Sequence, residues 1–271
     1  MCLILIAHRP EEQFPLLVLA NRDEYYTRPS AAAEIWQESP GLIAGRDLIS
    51  GGTWFGARNS RWATVTNIRE GVKNETRRSS KSRGWLVRDY LQGDMPPADF
   101  IASIEDAEDF AGFNLLLGDA NELWYTSSRE RAARLLPPGV YGLSNHLLDT
   151  PWPKVERGKE GLKQLLGTPE LDTERAFALL AETAVAADAD LPDTGIPHEW
   201  ERALSAIFIT TPSYGTRCST LLQTERGGCG RLIERRFEND PRRWQESAFS
   251  WTAQGSLLDR QDVSTENNAT S

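Results

Sequence analysis

Two apolar runs near the amino end limit the fold more than any other feature of the chain. Leu3-Ile4-Leu5-Ile6-Ala7 and Pro15-Leu16-Leu17-Val18-Leu19-Ala20 are apolar at nearly every position, whereas a strand with one wet face alternates. Such strands need cover on both faces of their sheet. The polar stretch Arg9-Pro10-Glu11-Glu12-Gln13 joins them into a hairpin with a longish loop. With His8 paired near Pro15, the register sets Cys2 opposite Asn21 or Arg22, where Asn21-Arg22-Asp23-Glu24 begins. Four polar residues thus follow a buried strand directly, beside the amino end.

Strand-and-turn patterns recur downstream. Leu42 to Ile49 and Thr53 to Ala57 flank Gly51-Gly52, which predicts a tight hairpin. Trp62 to Asn67 alternates as a strand, Phe113 to Asp119 and Glu122 to Thr126 form a hairpin around Asn121, and Gly139 to Ser144 runs as a strand into Asn145-His146. The last sheet section starts at Ala206-Ile207-Phe208-Ile209 and continues through Thr216 to Leu222 and Arg231 to Phe237, with Phe249-Ser250-Trp251 as an edge. Amphipathic spacing predicts helices over 84–92, 96–110, 154–166 and 172–187, and a short one over 198–204. Helices outside packed sheets make an α+β fold, in one domain over 1–258 with a polar, disordered tail at 259–271.

Composition removes several function classes. The net charge of −9 argues against general nucleic-acid binding, which needs a basic footprint. No apolar run approaches the ~20 residues of a membrane span. Leu3 to Ala7 is too short for a signal peptide and has no basic flank, so a cytoplasmic protein is expected. Cys2, Cys218 and Cys229 are too few and too oddly spaced for a disulfide framework or a structural zinc site, and no metal is expected.

Cys2 carries the chemistry. Methionine is normally removed when a small residue follows it, which leaves a cysteine with a thiol and a free α-amine titrating near 8. A nucleophile and its base then sit in one residue at the head of an apolar strand. Arg22 and Asp23 beside it suit binding an ammonium, positioning the thiol or holding an anionic substrate group. Arg69, Lys73, Arg77, Arg78, Lys81 and Arg83 lie in a basic loop running into a helix start, a seat for phosphate or carboxylate, with Ser82 as the helix cap. His8 is six strand residues from Cys2, roughly 20 Å at the strand rise, too far to be its base. His146 is the histidine to watch as a ligand.

Met1-Cys2 opening an apolar strand, with Asn21-Arg22-Asp23-Glu24 after the second strand, resembles the NRDE family, the family of transport and Golgi organisation protein 2. Gly52-Thr53-Trp54-Phe55-Gly56, Thr66-Asn67, Ser82-Arg83-Gly84, Gly142-Leu143-Ser144-Asn145 and Tyr214-Gly215-Thr216-Arg217 extend the resemblance over about residues 1–255. The layout is also similar to the N-terminal nucleophile (Ntn) hydrolases of the penicillin V acylase and bile-salt hydrolase type, which implies a four-layer αββα sandwich. By position, that resemblance implies Cys2 as nucleophile, Asp23 with Arg22 near the amine, the Asn67 N–H and Asn145 side chain as oxyanion hole, and Arg217 lining the site. The implied activity is hydrolysis of an amide or thioester of a small hydrophobic anion, with no cofactor required. The alternative implied by the family is a non-catalytic carrier of haem or of acyl-CoA and lipid in the same pocket.

Overall fold

The computed structural model describes residues 2–9, 12, 14–69, 80–104, 109–119, 121–130, 132–168, 170–238, 240–253 and 257–264, with 257–260 and 264 by backbone alone. The amino-terminal hairpin forms as the apolar runs require. β1 (Cys2–His8) pairs with β2 (Leu16–Tyr25), Cys2 opposite Arg22 and His8 opposite Leu16. The chain then lays down a second sheet as a meander in sequence order. Its strands are β3 (Ser30–Ile35), β4 (Leu42–Asp47), β5 (Phe55–Arg58), β6 (Arg61–Asn67), β7 (Phe113–Gly118), β8 (Leu123–Ser127) and β9 (Arg134–Leu135). Helices α1 (Gly84–Gln92) and α2 (Pro97–Ala102) lie between β6 and β7.

The chain returns to the first sheet with β10 (Gly139–Leu143), which pairs with the free side of β1. Helices α3 (Pro153–Leu166), α4 (Thr173–Leu180) and the short α5 (His198–Ala203) follow. β11 (Tyr214–Thr224) joins β2, and β12 (Gly230–Phe237), β13 (Trp244–Trp251) and β14 (Leu257–Ser264) complete the order β10-β1-β2-β11-β12-β13-β14. Both sheets are antiparallel and seven-stranded.

Side-chain alternation builds the layers. On β1, Ile4 and Ile6 point between the sheets and pack with Phe55, Trp62, Leu116 and Tyr125 of the second sheet. Leu3, Leu5 and Ala7 point the other way, against Val155 and Leu162 of α3 and Phe177 and Leu180 of α4. The outer face of the second sheet is covered by Leu86, Val87 and Leu91 of α1, with Phe100 and Ile101 of α2 beside them. The order is helix, sheet, sheet, helix, the four-layer αββα sandwich expected. α3 approaches β1 closely because Gly158 has no side chain: a Cβ there would stand 2.7 Å from Leu5 Cδ2.

Several local expectations give way to tertiary bonding. Residues 206–209 are buried but irregular rather than a strand. Their backbone is used across the chain: the Phe208 N–H donates to the Glu182 carbonyl at 2.8 Å and the Ile209 N–H to Thr216 Oγ1 at 2.9 Å. The same partners stop α4 at Leu180, short of residue 187, since Glu182 and Ala186 bond to 208 and to Ser205 Oγ. α2 spans Pro97–Ala102, less than the 96–110 expected, and 105–108 lie outside the described residues. Ser82 gives α1 no side-chain cap; its carbonyl accepts the Trp85 N–H instead. Residues 259–264, read as tail, pair with β13 as part of β14. Among the described residues no helix is long and apolar enough to cross a membrane.

Candidate functional site

A cleft of about 1620 Å³ opens between the two sheets at the Cys2 end of β1. Cys2, Arg22, Trp54, Asn67, Arg69 and Trp200 are among the residues that line it. Residues paired directly across an antiparallel ladder share a face, so Arg22 stands on the side of Cys2, facing the second sheet. Its guanidinium lies 4.2 Å from the Trp54 ring centroid, its Nη2 is 3.9 Å from Glu24, and its buried Nη1 has no hydrogen bond among the described residues.

Asp23, one residue on, points to the helix side. Its Oδ1 accepts the Thr216 hydroxyl at 2.7 Å. Burial pushes the Asp23 carboxyl up; the positive charges of the amino terminus, Lys154 and Arg22 and the Thr216 hydroxyl work against that. Burial likewise pushes the Cys2 thiol up, opposed by the amino-terminal charge, the Asp23 N–H and Arg22.

Asn145 ties the amino end to the second sheet. The Cys2 N–H donates to Asn145 Oδ1 at 3.2 Å, while Asn145 Nδ2 donates to the Asn67 carbonyl at 2.9 Å and to Asn67 Oδ1 at 2.6 Å. Ser144 Oγ donates to the Cys2 carbonyl at 3.0 Å. Asn145 is fully buried and its side chain is outside the cleft lining, so both ends of its amide are spent on the site itself. The Asn67 N–H has a different outlook. The Val65 N–H bonds across to Trp54 and the Ile68 N–H to Gly112 on the other side. Strand alternation therefore aims the Asn67 N–H to the Trp54 side, past the end of β5, where the cleft lies.

Arg217 sits elsewhere. Expected to line the site, it stands at the β11 bulge between Thr216 and Cys218, and its Nη1 donates to the carbonyls of Tyr25, Tyr26 and Arg28. It shapes the turn after β2 and is not part of the cleft lining. The basic loop is spoken for where it is described. Arg69 pairs with Glu201 at 2.5 Å, Lys81 with Asp109 at 3.0 Å, and Arg83 donates to the Gly112 carbonyl; Lys73, Arg77 and Arg78 lie outside the described residues. His146 Nδ1 is 2.9 Å from Thr150 Oγ1, and His146 does not line the cleft. No cluster of metal-ligand type occurs among the described residues.

Sequence reasoning missed Lys154. It sits in the first turn of α3, is 1% exposed, and its Nζ has no hydrogen bond among the described residues. Burial lowers its pKa to about 8, against the pull of the Asp23 and Cys2 charges. Between about 8 and the ordinary 10.5 the unfolded chain binds more protons, so the folded state gains stability as pH rises through that window. Wild type should gain on the order of 1–2 kcal/mol over Lys154→Met between pH 7.5 and 9.5. Urea unfolding at those pH values measures it, and a pH-independent difference would refute the shift.

The family model described as Transport and Golgi organisation 2 matches residues 1–239. The "Transport and Golgi organization protein 2 homolog" of Bos taurus is 31% identical over 94% of this chain and 100% of its own, and that of Homo sapiens is 28% identical over the same shares. Among solved structures, a Caenorhabditis elegans N-acylethanolamine-hydrolyzing acid amidase (NAAA) ortholog aligns over 82% of this chain and 92% of its own, with 12% identity and a TM-score of 0.46. A likeness of that size transfers neither chemistry nor fold. By the match over residues 1–239 and the full-length relatives, the chain belongs to the Transport and Golgi organisation 2 family.

Proposed function

We propose that removal of Met1 makes Cys2 an N-terminal nucleophile that acts on the amide or thioester carbonyl of a small hydrophobic anionic ligand. The observation that carries this reading is the Cys2 nitrogen held 3.2 Å from Asn145 Oδ1, with Cys2 itself in the cleft wall. A thiol raised by burial stays protonated near neutral pH and needs a base to react. The α-amine is that base. It takes the thiol proton as the sulfur attacks the carbonyl carbon, and the oxyanion forms against the Asn67 N–H, a donor worth about 3–4 kcal/mol in such sites. The resulting ammonium protonates the leaving nitrogen or sulfur. Water, deprotonated by the amine, then cleaves the acyl–Cys2 thioester and restores the thiol.

In this scheme Asn145 is a positioning residue rather than an oxyanion donor, because its Nδ2 already serves Asn67. Arg22 Nη1, buried and without a hydrogen bond among the described residues, takes an acidic group of the ligand. The test is intact mass after exposure to an activated acyl probe. Wild type should lack Met1 and gain one acyl group on the Cys2 peptide, and Cys2→Ala should gain none; equal labelling of the two sinks the proposal.

A second reading draws on the size of the cleft. At about 1620 Å³, with Trp54, Trp85 and Trp200 and Arg22 in its lining, it has room for acyl-CoA or haem carried without bond cleavage. For haem, Cys2 is the one thiolate or imidazole ligand among the described lining residues. Calorimetric titration with each ligand separates the readings, since a carrier binds without turning the ligand over.

A further inference from the structure

We infer that Lys154 is the buried counter-charge of the amino-terminal site: its ammonium balances Asp23 and sets the pH at which Cys2 reacts. The inference rests on the reading of Cys2 as an N-terminal nucleophile, and deepens it. Lys154 lies on the buried stripe of α3 with Gly158 and Leu162, one turn ahead of the glycine that packs on Leu5. The start of α3 stands at the Cys2 end of β1: Trp152, two residues before Lys154, has its ring centroid 5.1 Å from the Arg69 guanidinium, the Arg69 N–H donates to the Asn145 carbonyl, and Asn145 Oδ1 accepts the Cys2 N–H. There it interacts electrostatically with Asp23 and Cys2.

Everything else around this lysine disfavours its charge. It is 1% exposed, it has no hydrogen bond, and it occupies the positive end of the α3 dipole. The other charged groups that reach it are Arg69 from the end of β6 and Arg157 from α3 itself, both cations. Each of those has its own acid: Arg69 has Glu201 at 2.5 Å, and Arg157 has Glu182 at 3.3 Å. Arg22, which also reaches Asp23 and Cys2, has Glu24 at 3.9 Å. Lys154 is left with Asp23 and the Cys2 thiolate as its anions.

The consequence concerns the amine. A lone carboxylate beside the amino terminus holds it as an ammonium, which cannot accept the thiol proton. A second cation sharing that carboxylate releases the amine as a base and favours the thiolate. Lys154 acts through Cys2 and is a positioning residue, not a catalytic one.

The experiment is the pH dependence of Cys2 alkylation by iodoacetamide on the processed chain, read on the amino-terminal peptide by mass spectrometry. Lys154→Met should raise the midpoint by about one pH unit, which slows alkylation about tenfold below it. Lys154→Arg, which keeps its charge above about pH 8 where Lys154 loses it, should have a midpoint at or below that of wild type. A folded Lys154→Met with the wild-type midpoint overturns the inference. If Lys154→Met does not give a cooperative melt, Lys154→Gln replaces it. Its midpoint must then rise above wild type, and equal midpoints overturn the inference. Absence of a Cys2 adduct at every pH in processed wild type defeats the nucleophile reading instead, a result distinct from an adduct with an unshifted midpoint.

Discussion

An alanine inserted between Met1 and Cys2 should slow acylation of Cys2 by about 10²–10⁴-fold, the range that a positioned general base supplies. After removal of Met1 the inserted residue carries the free amine, and the Cys2 nitrogen becomes an amide with no basicity. The geometry need not change. The bond from the Cys2 nitrogen to Asn145 Oδ1 uses an N–H that an amide has as well as an amine, and Cys2 is partly exposed on the cleft side. Packing at Leu3 and beyond is untouched, so the melting temperature should stay near wild type. The effect then isolates the amine from the scaffold. Time courses of the acyl adduct on intact protein measure it. Acylation of the extended chain at the wild-type rate would show Cys2 to be an ordinary cleft thiol.

The part of this site legible in the sequence is the part set by strand register. Two all-apolar runs separated by a polar loop set Cys2 opposite Asn21 or Arg22, and the ladder pairs it with Arg22. Side-chain alternation then gives Arg22 the face of Cys2 and Asp23 the opposite one. What alternation alone does not tell is that the Asp23 carboxylate meets the Thr216 hydroxyl on the far face. Asn67 ends β6 and Asn145 follows β10, far apart in the chain, and the resemblance, not periodicity, relates them; their mutual bond commits the Asn145 amide that was expected to serve the oxyanion.

Arg217 misled because a bulge shifts its side chain off the two-residue rhythm, and a bulge leaves little trace in a run such as Thr216-Arg217-Cys218. Lys154 did leave a trace. Trp152-Pro153-Lys154 marks a helix start, and spacing by fours puts Lys154 on the stripe of Gly158 and Leu162. A lysine in the first turn of a helix, on its apolar side, contradicts both dipole and burial rules, and local rules tend to fail at functional sites. The α5 segment left no comparable trace, since Glu199 and Glu201 look alike in sequence and only tertiary packing buries Glu201.

That packing makes Glu201→Ala the largest stability loss expected, about 3–5 kcal/mol. Glu201 is 4% exposed and uses both carboxylate oxygens: Oε2 meets Arg69 Nη1 at 2.5 Å, and Oε1 accepts the Thr194 N–H at 2.9 Å and the Thr194 hydroxyl. Arg69 is itself largely buried, 5.1 Å from the Trp152 ring centroid, and its N–H donates to the Asn145 carbonyl at 2.9 Å. Truncating the acid leaves a desolvated guanidinium, and burial already lowers the Arg69 pKa against the support Glu201 gives. The loss reaches the cleft, because Arg69, Ile196, Pro197 and Trp200 form a continuous part of its wall. Removing both charges together costs less: Arg69→Met with Glu201→Leu leaves no orphaned ion and should recover most of the difference. Urea unfolding of the single and double variants decides between two pictures. A single variant within about 1 kcal/mol of wild type would mean that cleft water solvates the pair as it does a surface bridge. A large single loss with a smaller double one identifies this pair as the clamp that fixes the α5 wall over Cys2.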